Sequence, residues 1–310
     1  MGGRFLKAGA VVAAGVAGLV TALGPSAPGR AAASSGGAAA PDPLTAHLAA
    51  APSLTLPGPT AADGVGPGDM IVIEQGQSTL GCTANFVWVD GSGNRYLGTA
   101  GHCLLPSNVA EAGASQLAGI DQHILLCVKS CLFGGQTGFL LNSTVDLGAA
   151  GFYARQYPNG QSGVLGDDFA LIKLPAGMPV RPAVPVWGGP TGPGTIGTGT
   201  PVCVYGNAEG VGEVFATKAR AGVGMGQQAD PAPDANLTPW YADIPSFEGD
   251  SGSAVVNCAL GAGGLVGTTA VGILTDLVAG GTGVIEGTTV AQAQKMVAAD
   301  TGVSISLVTA

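Results

Sequence analysis

From residue 69 onwards the chain is dominated by short runs in which apolar and polar positions alternate, separated by glycine, proline and asparagine. A two-residue period is that of strands, whose successive side chains point to opposite faces of a sheet. Residues 69–74 (DMIVIE) predict a first strand, and 81–90 (GCTANFVWVD) a second in which Phe86, Trp88 and Asp90 alternate with Val87 and Val89. The turn chemistry of 91–94 (GSGN) makes 95–100 (RYLGTA) the returning arm of a hairpin. Phe169, Leu171 and Ile172, in the run 166–174 (GDDFALIKL), mark another strand, and more are predicted at 201–205, 213–217, 254–258 and 266–275. Over 289–302 the period becomes helical: Val290, Ala293 and Val297 share a face, Thr289 with Gln292 resembles a capping box, and Gly302 suits a helix stop. Residues 175–200 are rich in proline and glycine, which predicts an extended connection dividing an all-β domain into halves.

Upstream the pattern is different. Residues 1–33 carry Arg4 and Lys7, an apolar run from Ala8 to Leu23, and small residues ending in Ala31, Ala32 and Ala33, the three parts of an export signal. The run is Ala/Gly-rich, interrupted and shorter than the ~20 apolar residues of a spanning helix, so no stable membrane insertion is expected after cleavage. Residues 34–68 have few large apolar side chains to offset ordering entropy and read as a flexible linker or short pro-segment, with His47 solvated and idle. Residues 69–310 then form the working domain. The net charge of −9, with only 11 Lys and Arg scattered along the chain, leaves no basic stripe for phosphates, so nucleic acid is not an expected partner. Six cysteines in an exported chain predict disulfides. Asn142-Ser143-Thr144 and Asn236-Leu237-Thr238 are glycosylation sequons.

Three places carry candidate chemistry. Phe247 to Val256 reads FEGDSGSAVV. A serine between glycines suits an exposed nucleophile on a tight turn: Gly249 lets backbone approach a substrate oxygen, Ser251 attacks, and Gly252 leaves room around it. His102 follows Thr99, Ala100 and Gly101 at a strand end and precedes Cys103, which is able to pin the loop. A neutral imidazole there can take a proton from a serine. Asp168 stands immediately before a strand entering a core, where a carboxylate can orient an imidazole, whereas Asp167 is assigned a solvated role. His123 is placed in a polar loop with a structural role. Cys127 and Cys131 (CVKSC) are expected to close a small loop, and no HxxxH or CxxC spacing suggests a metal site.

Together GTAGHC around His102, DDFALIKL around Asp168 and GDSGSAVV around Ser251, in that order, resemble the chymotrypsin-like (trypsin-like) serine endopeptidases, in particular secreted bacterial ones. The order His, Asp, Ser separates them from subtilisins and α/β-hydrolases. The resemblance implies two packed six-stranded antiparallel β-barrels, a first over about 69–175 and a second over about 200–287, with a C-terminal α-helix at about 289–302. It implies a Ser251–His102–Asp168 triad, an oxyanion hole from the amides of Gly249 and Ser251, no metal or organic cofactor, and a monomer acting on protein or peptide substrates. It also implies disulfides Cys82–Cys103 and Cys203–Cys258, with Cys127–Cys131 left by elimination.

Some positions depart from the family pattern. No IVGG-like sequence precedes the domain, so Asp250 needs a partner other than a freed N-terminus, and Arg181 and Arg220 are the candidates. Pro245 stands where trypsin-type members carry an aspartate, and Leu274 where glutamate-specific ones place a histidine. The expected P1 preference is therefore for small or medium apolar residues, with Pro245, Ser246, Glu248, Thr275 and Asp276 lining the substrate site and Glu248 and Asp276 able to attract a cation at its rim. The main alternative is a catalytically silent protein of the same fold that binds peptides or surface partners, its cleft blocked by the long segment from Leu104 to Gly166. An esterase or a structural envelope protein is a third reading, for which no dedicated feature occurs.

Overall fold

Phe86, Val87 and Trp88 are all fully buried, so the apolar alternation of this run divides side chains between two cores instead of between core and water. The computed structural model describes residues 64–76, 78–127, 131–133, 139–141, 144–156, 166–207, 218–227, 239–277 and 283–310. The expected export signal, most of the linker with His47, the strand at 213–217, the sequon at 236–238 and the Asn142 of the other lie outside these residues.

The first lobe comprises β1 (Met70–Gln75), β2 (Ser78–Thr83), β3 (Val87–Asp90), β4 (Arg95–Thr99), the helical turn α1 (Gly101–Leu104), β5 (Glu111–Gly113), α2 (Ala114–Leu117), β6 (Gln122–Cys127), β7 (Cys131–Phe133), β8 (Phe139–Leu141), β9 (Thr144–Gly148), β10 (Gly151–Arg155) and β11 (Phe169–Lys173). After the connection come β12 (Pro201–Tyr205), β13 (Ala219–Gln227), β14 (Trp240–Asp243), β15 (Ala254–Gly261), β16 (Gly264–Leu277), β17 (Val284–Thr289), α3 (Val290–Thr301) and β18 (Ile305–Leu307). The second lobe is a closed six-stranded barrel in the order β12-β13-β14-β17-β16-β15. The first is built from a four-stranded sheet, β2-β1-β6-β9, and a six-stranded one, β18-β3-β4-β11-β10-β5, while β7 and β8 form a separate ribbon. All the ladders are antiparallel, and the architecture is the all-β, two-lobed one expected, with its C-terminal helix.

Each lobe has its own core. Ile71, Ile73, Leu97, Ile124, Ala170 and Ile172 fill the space between the two sheets of the first lobe. Val202, Val204, Val255, Val271, Leu274 and Ile285 fill the barrel. A third cluster joins the lobes: Phe86, Trp88 and Phe169 meet Cys203, Val256 and the Val290, Ala293, Met296 and Val297 face of α3. Burying an aliphatic or aromatic side chain of this size stabilises by about 1.5–3 kcal/mol. Apolar burial therefore contributes to the packing of one lobe on the other.

Local signals explain the element ends. The Thr289 hydroxyl accepts from the Gln292 N–H at 3.1 Å and caps α3, which stops where Gly302 takes φ +72°. The 175–200 connection holds no strand, but Val180 bridges Val65 in parallel. Arg181 binds Asp69 Oδ1 at 3.0 Å, and the carbonyls of Pro67 and Ala183, so it straps the segment before β1 to this connection. Cys82–Cys103 and Cys203–Cys258 are disulfides. For Cys127–Cys131, the Cys131 side chain lies outside the described residues. Two expectations are corrected. Residues 81–90 are not one strand but the end of β2 and β3, broken at 84–86 where Asn85 turns its side chain to the Phe86 N–H and the Trp88 indole. His123 is not in a loop: it sits on β6, where its Nε2 lies 2.8 Å from Asp146 on neighbouring β9.

Candidate active site

His102 is carried by α1, the single turn that ends β4. Two features lock this turn. A Cβ added at Gly101 would lie 1.8 Å from the Arg155 carbonyl oxygen, so only glycine lets the turn sit against β10. Cys103 is tied to Cys82 on β2. The His102 N–H donates to Asp168 Oδ1 at 3.0 Å, and Nδ1 lies 2.5 Å from Oδ2. A carboxylate only accepts, so Nδ1 carries the proton and Nε2 presents its lone pair. The imidazole is about a third exposed, at 36 %. Burial works against its charged form, but Asp168, and Asp276 beyond it, outweigh that and raise the His102 pKa above 6.5.

Asp168 is held from the second lobe. Its N–H donates to the Thr288 hydroxyl at 3.0 Å, and that hydroxyl donates to the Asp168 carbonyl at 2.9 Å. Phe169 beside it meets Trp88 edge to face, with ring centroids 5.4 Å apart. Asp167 corrects the sequence reading. It is not solvated but 4 % exposed, with Oδ2 2.9 Å from Arg155 Nε, and Arg155 Nη1 reaches Asp300 of α3 at 3.0 Å. The Tyr153 hydroxyl joins them, donating to Asp300 at 2.6 Å. The cation that lets Asp167 be buried is Arg155, twelve residues away at the end of β10, and Arg155 in turn is held by Asp300 from α3.

The serine turn is built by backbone. Asp250 donates its N–H to the Phe247 carbonyl at 3.1 Å, and Gly249 takes φ +91°, a region open to glycine at little cost. Arg220, on β13, is the buried partner of Asp250: Nη1 and Nη2 meet Oδ2 and Oδ1 at 2.6 and 2.7 Å. Arg181 is engaged with Asp69 instead. Phe247, 41 % exposed, covers the Arg220 guanidinium at 5.8 Å from its ring centroid. Gly252 serves a purpose other than room around the nucleophile: a Cβ there would lie 2.3 Å from the Thr83 carbonyl oxygen and 2.9 Å from the Ala100 N. It is the point at which the second lobe presses on the strand end that leads into His102.

His102 and Asp168 are thus in contact, and the Ser251 turn abuts Ala100, at the start of α1. Among the described residues, the Ser251 hydroxyl makes no hydrogen bond to the imidazole, and the N–H groups of Gly249 and Ser251 donate to no protein acceptor. Around them, Pro245, Glu248 and Asp276 are exposed, while Ser246 and Thr275 are 6 % and 7 % exposed. The Ser246 hydroxyl has no hydrogen-bond partner among the described residues. Cys82, Cys103 and His102 lie close together, but the two sulfurs are bonded to each other and offer no thiolate to a metal. Arg220 was one of two arginines expected for Asp250. Thr288, Arg155 and Asp300 carried no local signal that could have assigned them.

No model of a known protein family matches the chain, and no curated protein matches it. Solved structures do. Thermobifida fusca protease A is 15 % identical over 79 % of this chain and 99 % of its own, with a TM-score of 0.43. The Nocardiopsis protease is 15 % identical over 79 % and 97 %, with a TM-score of 0.40. The protease Anisep from Arthrobacter nicotinovorans is 14 % identical over 73 % and 91 %, with a TM-score of 0.45.

Proposed function

We propose that the protein is a secreted serine endopeptidase of the chymotrypsin-like type, cleaving peptide bonds through Ser251, His102 and Asp168. The observation that carries this reading is the Asp168–His102 pair at 2.5 Å, which leaves Nε2 free to accept a proton beside the glycine-flanked serine turn. Ser251 Oγ attacks the scissile carbonyl while Nε2 takes its proton, and the imidazolium that forms is stabilised by Asp168. The undonated N–H groups of Gly249 and Ser251 receive the oxyanion, a contribution of about 3 kcal/mol per donor in comparable acyl transfers. His102 returns its proton to the leaving amine, and water releases the acyl group by the same steps in reverse order. No step calls on a cofactor.

Small or medium apolar residues fit the P1 position, because no acidic or histidine side chain stands at Pro245 or Leu274 to select a charged one. Secretion is supported by the disulfides Cys82–Cys103 and Cys203–Cys258 and by the composition of residues 1–33, and no helix among the described residues is long and apolar enough to cross a membrane. The missing Ser251–His102 hydrogen bond is what a silent peptide-binding protein would also have, although such bonds are often loose until substrate arrives. Exposure of the secreted protein to a fluorophosphonate probe and to an unbiased peptide library decides between them. Cleavage and labelling are expected, both abolished in Ser251→Ala. Labelling that survives that change overturns the assignment, and an inert native protein supports the silent reading.

A further inference from the structure

We infer that Thr83 is a positioning residue for the oxyanion site, acting on the serine turn from the opposite lobe; this rests on the proteolytic reading above. Thr83 ends β2 in the first lobe and is fully buried. Its hydroxyl donates to the Gly249 carbonyl at 2.8 Å, and its N–H donates to the Ser251 carbonyl at 2.8 Å. These are the carbonyls of the two residues whose N–H groups face the oxyanion. One side chain and one amide therefore hold both ends of the GDS turn.

The hydroxyl is itself held. It accepts from the Asn207 N–H at 2.9 Å, just past β12, and the Asn207 side chain donates to the Gly68 carbonyl at 2.8 Å. The Thr83 carbonyl in turn accepts from the Thr99 hydroxyl at 3.0 Å, three residues before His102. The chain Asn207, Thr83, Gly249 thus passes from the second lobe into the first and back, directed by a single O–H whose acceptor and donor roles are both fixed. A hydroxyl with its one hydrogen committed to Gly249 leaves that carbonyl no freedom to rotate. The 249–250 peptide lies between the two oxyanion donors, and its N–H is held by Phe247, so its two polar groups are fixed on opposite sides. Rotation of this stretch would turn the Gly249 donor away from the developing charge, and an oxyanion contact made only in the transition state is lost from turnover, not from substrate binding.

Thr83→Val keeps the branched shape of the side chain and removes the hydroxyl, and Thr83→Ser keeps the hydroxyl and removes the methyl. The acyl donor is p-nitrophenyl acetate, with a fluorophosphonate to report the nucleophile, and thermal unfolding is followed for every chain. Thr83→Val is expected to lower kcat for the ester about tenfold to a hundredfold, the size of effect a small misplacement of reacting groups produces, with KM nearly unchanged. Thr83→Ser should restore kcat to within about threefold of the native value, since the hydrogen bond to Gly249 is regained. If the valine chain does not fold, Thr83→Ala, which leaves space for a water, is compared with serine in its place. Native kcat in both Thr83→Val and Thr83→Ala overturns the inference. So does an equal loss in serine and valine chains, which would assign the effect to packing, or a loss confined to KM. A native protein that reacts with neither probe defeats the proteolytic reading itself, an outcome distinct from any of these.

Discussion

Two arginine–aspartate pairs flank the candidate catalytic residues, one beside Ser251 and one beside Asp168, and they differ in almost everything but their chemistry. Arg220 grips Asp250 with both ends of its fork, and the side chains are 7 % and 0 % exposed. Arg155 meets Asp167 through Nε, spends Nη1 on Asp300, and is 31 % exposed. The first pair is a closed unit under the serine turn, whose alternative to being paired is an uncompensated charge in a dry site. The second is an open chain linking β10, the residue before Asp168 and α3, and water can replace part of it. Equal pairings in a contact map thus carry unequal responsibilities.

The largest effect should come from the residue each pair serves. Asp168→Asn is expected to cut turnover on any peptide substrate found by about 10⁴, with the fold intact by circular dichroism. Asp167→Asn should leave most of the turnover; if it proved the more damaging change, the roles of these neighbours would be exchanged. Arg220→Met comes next. Stranding Asp250 should cost about 3–5 kcal/mol in urea unfolding. Arg155→Met should cost less, about 1–3 kcal/mol, because Asp300 keeps its Tyr153 donor and the buried Asp167 carboxyl can hold a proton in place of its arginine. Similar losses in the two methionine chains would erase the contrast between closed and open pairs.

Smaller effects appear as pH dependence. Burial lifts the Asp167 carboxyl from 3.8 to about 6 against the pull of Arg155. A carboxyl whose folded value lies above its unfolded one holds its proton longer in the folded chain. Its contribution therefore favours folding most at acid pH and declines as pH rises from 3.8 to about 6. Unfolding free energies across that window should fall less steeply with pH in Asp167→Asn than in the native chain. The smallest effect concerns Asp276. Because its charge helps raise the His102 pKa, Asp276→Asn should move the acid limb of the activity profile to lower pH, with its plateau retained.

Much of the frame was readable because side-chain period and turn residues point the same way. The 69–74 and 95–100 strands, the GSGN turn, the Thr289 cap and the Gly302 stop all fall within a residue or two of β1, β4 and α3. Other elements were hidden for physical reasons. β13 reads ARAGVGMGQ, and alternate glycines erase the side-chain pattern on one face although it pairs with β12 throughout and with β14 around an irregularity between Gly224 and Gly226. β3 was merged with β2 because Ala84, Phe86, Val87 and Trp88 are all buried in one core or another, and the polar residue at the break, Asn85, is buried with them. In the site, His102, Asp168 and Ser251 stand in motifs, whereas their supports do not. Thr83, Thr288, Arg155 and Asp300 are ordinary residues made significant by long-range contacts, with Thr288 lying 120 residues from the Asp168 it holds. Asp167 shows the same limit: a carboxylate beside a motif looks solvated until its partner is known.

The last strand has a consequence for how the first lobe is completed. β18, after the C-terminal helix, pairs with β3 and forms the outer edge of the sheet that carries β4 and β11. That sheet cannot be finished by the residues of its own lobe alone; it needs residues 305–307, which follow the whole barrel in sequence. Without them β3 offers an unpaired edge to any neighbouring chain. Completion of the first lobe thereby depends on the last residues of the chain, and loss of 305–307 would leave β3 as an open edge.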